Sequence, residues 1–141
     1  MNLKFGVLAD YAGIGAANKA ILVGIFDTVF NTQNAPNISL PPFYLFAQIE
    51  AHVTEGTEHK VTVHITTGDG GELPVPVRVE LPFKLVPRGP GRELQGNLII
   101  ALQGMPLPGE NSSYEFNILM GGNRIGSVPF YVSEGPHASH S

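Results

Sequence analysis

Tyr44-Leu45-Phe46-Ala47-Gln48-Ile49-Glu50-Ala51-His52-Val53 is the stretch that decides the fold. Leu45, Ala47, Ile49, Ala51 and Val53 fall on one side of an extended chain, and Tyr44, Phe46, Gln48, Glu50 and His52 on the other. Successive side chains of a strand point to opposite faces, so a period of two with one uniformly apolar set marks a half-buried strand. A polar turn, Thr54 to His59, leads into Val61, Val63 and Ile65, alternating with Thr62, His64 and Thr66. Pairing Val53 with Val61 in a hairpin would match the apolar faces and set the register. Glu50 is then expected opposite His64, and His52 opposite Thr62.

The same period continues in both directions. Towards the C-terminus, Gly68-Asp69-Gly70-Gly71 signals a turn before Val75, Val77, Val79 and Leu81, which alternate with Pro74, Pro76, Arg78 and Glu80. Prolines at alternate positions cannot donate to a ladder, so this is an edge strand or an extended connection, and the prolines also block unwanted strand addition there. A strand follows within Leu94 to Gln103, then a loop from Met105 to Ser113, then Tyr114, Phe116, Ile118 and Met120 in alternation. Gly121-Gly122-Asn123 turns the chain into Ile125 to Val132, a closing hairpin. Towards the N-terminus, Leu3, Phe5, Val7 and Ala9 alternate with Lys4, Gly6, Leu8 and Asp10. A small-residue loop is expected over Tyr11 to Asn18, a second strand from Ile21 to about Phe30, and a loop over Asn31 to Pro42.

No stretch sustains a helical period. Seven or eight short strands between turns predict an all-β chain: a two-sheet antiparallel β-sandwich, immunoglobulin-like, with a barrel as second choice. One domain is expected over residues 1–132, with a flexible polar tail over 133–141.

Composition narrows the function classes. Hydrophobic residues make up 43% of the 141 and charged residues only 14%, where roughly a quarter is usual. A surface that poor in charge suits a protein that works against a partner. The net charge is −4, and the eight Lys and Arg run from Lys4 to Arg124 without a basic stripe. That pattern argues against nucleic acid as a partner. Lys84, Arg88 and Arg92 form a local group in a Pro- and Gly-rich loop and read as solvated. With no cysteine there is no disulfide and no thiolate zinc site. The longest apolar run, Ala20 to Phe26, is stopped by Asp27 and is too short for a membrane span. Met1 to Phe5 does not open a secretory leader, so a cytoplasmic location is expected.

Phe5-Gly6-Val7-Leu8-Ala9-Asp10-Tyr11-Ala12 and Gly24-Ile25-Phe26-Asp27, with Pro108-Gly109 before Tyr114-Glu115-Phe116 and a closing Gly126-Ser127-Val128-Pro129, resemble an uncharacterised bacterial domain family. The resemblance runs from about Leu3 to Val132. It implies a small β-sandwich and assigns no activity, ligand or site. The first loop, Gly13-Ile14-Gly15-Ala16-Ala17, is more apolar than the charged turn this resemblance implies.

Candidate chemistry is sparse. Gly13-x-Gly15-x-x-Asn18 lacks the third glycine and the following helix that a nucleotide loop requires. Glu50, His52 and His64 would share one face of the predicted hairpin, a carboxylate–imidazole set of the kind that ligates zinc or copper. The competing reading is an exposed Glu–His pair beside a surface histidine. Three ligands on an inferred register do not make a metal site, so no cofactor is expected. His137 and His140 lie in the tail. No serine sits in a nucleophile-elbow context, and Asp10 and Asp27 are too far apart along a hairpin for a catalytic pair.

The informative anomaly is apolar. The second strand is hydrophobic on both faces, with Ile21, Val23 and Ile25 on one and Leu22, Phe26 and Phe30 on the other. Tyr44 and Phe46 also occupy the otherwise polar face of the third strand. A strand with one face in water does not carry such a pattern. Either the Asn31 to Pro42 loop covers it, or it is a protein interface, between like subunits or with another protein. The interface expectation names Leu8, Leu22, Phe26, Phe30, Tyr44 and Phe46, with Gly6 and Gly24 allowing close backbone approach. Burying Leu22 and Phe26 there is worth about 3–5 kcal/mol. The functional expectation is a non-enzymatic binding or assembly module, one compatible with membership of a larger particle such as a phage or secretion assembly. The alternatives are a small-ligand or carbohydrate module around Tyr44 and Phe46, and a metal-dependent enzyme on Glu50, His52 and His64.

Overall fold

The structure, a computed structural model, describes residues 1–32, 35–89, 91 and 93–134. The described chain is built almost entirely of strands. In chain order they are β1 (Asn2–Ile14), β2 (Ala20–Phe26), β3 (Thr28–Phe30), β4 (Asn37–Ser39), β5 (Phe43–His52), β6 (Glu58–Thr67), β7 (Glu72–Lys84), β8 (Val86–Pro87), β9 (Glu93–Leu102), β10 (Pro106–Pro108), β11 (Ser112–Met120) and β12 (Asn123–Ser133). Two five-stranded sheets pack face to face. Sheet A has the order β2-β1-β5-β9-β8 and sheet B the order β3-β12-β11-β6-β7; β4 and β10 form a separate two-stranded ladder.

The expected all-β sandwich is therefore what the chain forms, with twelve strands among the described residues rather than seven or eight. The extra ones are short pieces of two or three residues: β4, β8 and β10 lie outside the expected strands, and β3 is the end of the expected second strand. The pairing is antiparallel except between β12 and β3, which run parallel. They do so because the expected second strand is two strands. At Asp27 the chain leaves the edge of sheet A and enters sheet B, held by the Tyr131 N–H donating to the Asp27 carbonyl at 2.7 Å.

The larger correction concerns β5 and β6. They do not form a hairpin: β5 pairs with β1 and β9, and β6 with β11 and β7, so the connection arches from one sheet to the other. A short 3₁₀ turn, Val53–Glu55, makes the corner, where the His52 ring accepts from the Thr54 N–H and the Glu55 carboxylate accepts from the His52 N–H. Apolar faces match equally well in a hairpin or across a sandwich, so alternation alone does not separate the two. β1 also continues through Tyr11 to Ile14, where a loop was expected, and hairpins onto β2.

Two expectations hold closely. β7, with its prolines, is an edge strand. β11 and β12 form a hairpin closed by Gly121 and Gly122, both at positive φ, as a two-residue turn with the right-handed strand twist requires. Ser133, placed in the tail by sequence, is the last residue of β12, and the Glu134 N–H donates to Asn111 Oδ1. The remainder of the tail, with His137 and His140, and also Arg92, lie outside the described residues.

The core lies between the sheets. Leu8, Leu45, Ile49, Leu94 and Leu98 from sheet A meet Val61, Ile65, Phe116, Ile118 and Phe130 from sheet B. An aromatic chain crosses the interior: Phe26 against Phe43, Phe43 edge-on to Phe116, and Phe116 edge-on to Phe130, with centroids 5.8–6.2 Å apart. Such tilted contacts are the favoured ring geometry and add to area burial. Where β1 crosses β12, a Cβ on Gly6 would come within 2.6 Å of Val128, and one on Gly126 within 2.6 Å of Leu3. Gly6 thus admits a strand of its own chain, not a partner. Leu40, Met105 and Leu107 join the core, so the Asn31–Pro42 segment and the β10 region close one end of the sandwich.

That closure is fastened by Asn31, 4% exposed, whose amide donates to the Ala35 and Gly109 carbonyls at 2.7 and 2.9 Å. Asn31→Leu leaves both carbonyls without this donor and is expected to lower unfolding free energy by about 1–3 kcal/mol. Urea melts of the two proteins measure it, and coincident curves would show that the amide is dispensable.

Candidate interaction surface

Register places the sheet A residues that point away from the core in rows across the strands. Ile25, Ala9, Tyr44 and Ala101 form one row, and Val7, Phe46 and Ile99 the next. Val23 lies beside Tyr11 and Ile21 beside Gly13; at the other end Phe5 is followed by Gln48 and Asn97. The β1–β2 side of this face is apolar, while Gln48, Glu50 and His52 of β5 continue it, with Glu93, Gln95 and Asn97 of β9, as a polar end. Ile25 is 58% exposed, Val23 55%, Tyr11 48%, Ile21 47% and Phe5 44%.

Aromatic contacts organise the face without covering it. Phe5 lies 6.2 Å from Phe46, and Tyr11 meets Tyr44 edge-on at 5.5 Å. These neighbours enclose Phe46 to 2% exposure on the outside of the sheet. Ala9 beneath them is fully enclosed. The described part of the Asn31–Pro42 segment packs into the core through Leu40 and pairs with β10, and the outward side chains of β2 stay exposed. A groove of about 380 Å³ adjoins the face where Ile25 to Asp27 approach Val128 and Pro129.

The outside of sheet B is the opposite case. His64 Nε2 lies 2.8 Å from Glu72 Oε1, Asn117 Nδ2 donates to Thr66 Oγ1 at 2.9 Å, Arg124 pairs with Glu115 at 2.9 Å and Lys60 with Glu80 at 3.3 Å. That is how an antiparallel sheet meets water, and sheet A does not follow it.

The sheet edges differ in the same way. β7 carries Pro74, Pro76 and Pro82 with Arg78 and Glu80, β8 is two residues ending in Pro87, and β3 has three residues. All are guarded or short, the usual defences against strand addition. β2, Ala20-Ile21-Leu22-Val23-Gly24-Ile25-Phe26, has neither proline nor charge and ends sheet A.

The six residues named from sequence divide. Leu8 is fully buried in the core, Phe26 packs on Phe43 beside it, and Leu22, opposite Ala12, shares that inward side. Phe30 is exposed but belongs to β3 in sheet B. Tyr44 and Phe46 are on the outside of sheet A as expected. The residues missed are Ile21, Val23 and Ile25, assigned to the other face of their strand, and Tyr11, placed in a loop. When both sets of a strand are apolar, alternation says which residues share a face but not which face is inside. The register to β1, whose Leu8 belongs to the core, settles it.

Glu50, His52 and His64 are not brought together. Glu50 accepts from Asn2, the His52 ring holds the Thr54 hydroxyl, and His64 sits on the other sheet beside Glu72. The set depended on the β5–β6 hairpin and goes with it. Asp10 lies mid-strand opposite Gly24, where a Cβ would meet its carboxylate at 2.2 Å, while Asp27 occupies the corner and accepts from the Thr28 hydroxyl. Gly24 therefore makes room for Asp10 rather than for a partner. Asp69, in the β6–β7 turn, has its carboxyl held below the usual range by the Thr67 hydroxyl and then the Gly71 N–H, a turn-stabilising arrangement.

Fold and surface together define an all-β sandwich domain with one water-adapted sheet and one apolar outer sheet. The chain belongs to a family of unknown function (DUF6941), whose model matches residues 4–133. A comparison with curated proteins finds no match. Among the described residues, no helix is long and apolar enough to cross a membrane.

The face assignment makes opposite forecasts for neighbouring residues. Ile25→Asp is expected to change stability by no more than about 1 kcal/mol, and Phe26→Asp to cost at least about 3 kcal/mol. Thermal melts decide between them, and equal losses would refute the assignment.

Proposed function

We propose that this chain is a non-enzymatic binding or assembly module that docks a protein on the outside of sheet A. The observation that carries this reading is the exposure of Ile21, Val23, Ile25, Tyr11 and Phe5 on one continuous face, beside a groove. A monomer rarely leaves such a patch open unless something covers it in use. Covering half of five large side chains removes on the order of 400 Å² of apolar surface, worth roughly 10 kcal/mol before the cost of association. A cytoplasmic setting belongs to the same proposal and is supported by the low charge and absence of cysteine.

A carbohydrate module built on Tyr44 and Phe46 is less well supported. Phe46 offers no stacking face at 2% exposure, and Tyr44 takes Tyr11 edge-on. Assembly into a larger particle is one form the docking can take.

A photo-reactive side chain placed at Ile25 is expected to give a discrete protein adduct in the cells that make the protein. The same group at Glu80, on the guarded edge of sheet B, is expected to give none. Equal labelling from both positions, or from neither, would defeat the proposal.

A further inference from the structure

We infer that the β2 edge beside this surface takes a second copy of the chain, joined edge to edge. β2 of one copy pairs antiparallel with β2 of the other about a two-fold axis at Val23, and the two five-stranded sheets become one continuous sheet. The inference goes beyond the reading of sheet A's outside as an interaction surface: it concerns the strand edge beside that face and names what pairs there.

Three observations carry it. The first is the contrast between edges. A strand edge presents unpaired N–H and C=O groups, and proteins that avoid pairing guard them with proline, charge or brevity. β7, β8 and β3 all show such guards; β2, seven residues long, shows none, a lack it shares with residues 96–102 of β9, a strand that β8 covers only at Leu94 and Gln95. Gly24 has positive φ, yet the ladder to β1 stays in register on both sides of it, Val23 with Tyr11 and Ile25 with Ala9.

The second is self-complementarity. A two-fold axis perpendicular to the sheet keeps outward residues opposite outward residues. With the axis at Val23, that residue faces its own copy and Ile21 faces Ile25 of the second copy, twice over. The exposed side chains, 47–58% open in the single chain, shelter one another across the seam.

The third is charge. In the same register Lys19, just before β2, and Asp27, at the corner just after it, are brought towards each other at both ends of the seam. Both are exposed, and neither forms an ion pair with a described residue. Lys19 has extended backbone, φ −79° and ψ 134°, so it prolongs the line of β2. Moving the axis by one residue in either direction sets Lys19 against Ile25 of the second copy, or Asp27 against Ile21. Only the Val23 axis satisfies both charges and all three outward apolar residues.

A single-strand seam is a small interface, so association in the micromolar range is expected. Its consequence is larger than its area. The two outer faces lie side by side on one sheet, doubling the apolar platform presented to any further partner.

The chain has no cysteine, so one introduced thiol reports on one contact. Under mild oxidation Val23→Cys is expected to form a disulfide-linked dimer. Ile21→Cys and Ile25→Cys are expected to link with each other in a mixture and poorly with themselves. By sedimentation velocity of the full chain, Lys19→Asp is expected to weaken self-association about tenfold through two lost attractions and two new repulsions. Lys19→Asp/Asp27→Lys is expected to restore it. A wild type monomeric at high micromolar concentration overturns the inference, as does Ile21→Cys self-linking as fast as Val23→Cys or a charge exchange that restores nothing. If the wild type is monomeric and the Ile25 photo-adduct contains a different protein, self-pairing falls while the docking surface stands. If neither association nor adduct forms, both fall.

Discussion

A strand has two faces, and a sandwich can cover only one of them. Everything functional in this molecule follows from that geometric constraint. Sheet B seals the inner side of sheet A through the chain of rings from Phe26 and Phe43 to Phe116 and Phe130. The other side of sheet A is left to whatever lies outside. On sheet B the corresponding side is filled with Thr, Asn, His and paired charges, so water suffices. On sheet A the β1–β2 side of it is filled with Ile, Val, Phe and Tyr, and water is a poor solvent for them.

The exposed edge and the exposed face have a common origin at Asp27. Because the chain leaves sheet A there and enters sheet B beside β12, β2 is stranded at the end of sheet A with no later strand to pair with it. Tight packing nearby holds this arrangement in place. Gly6 and Gly126 bring β1 against β12 where the sheets touch, and Gly24 lets the Asp10 carboxylate lie against β2. The edge is thus held rigidly on its inner side and is open on its outer side, a suitable platform for pairing because little order remains to be imposed.

Much of this was legible in the residues. Alternation from Leu45 to Val53 and its repeats identified the sandwich, Pro74 and Pro76 identified an edge, and Gly121-Gly122 identified the closing hairpin. An apolar excess in β2 pointed to a strand with apolar side chains on both faces, and its outward set is exposed. What could not be read was sidedness and partner choice between strands. Ile21 and Leu22 are equally apolar, so nothing local says which looks inward. That depends on β2 pairing with β1, where Leu8 is committed to the core. Likewise Val53 and Val61 fit a hairpin as well as an arch, and the arch wins because β1 and β9 supply β5 with two neighbours in sheet A. The Glu50, His52 and His64 grouping was lost with that hairpin. β4 and β10 were invisible because each finds its partner in a distant loop and neither is long enough to alternate.

The central claim is that sheet A carries an unguarded, pairing-competent edge next to an uncovered apolar face. Amide hydrogen exchange measured at low and high protein concentration tests it most directly. Protection over Ala20–Phe26 is predicted to rise with concentration while the outward amides of β7 exchange unchanged. Exchange in β2 that is the same at both concentrations, or protection that appears along β7 instead, would contradict the account.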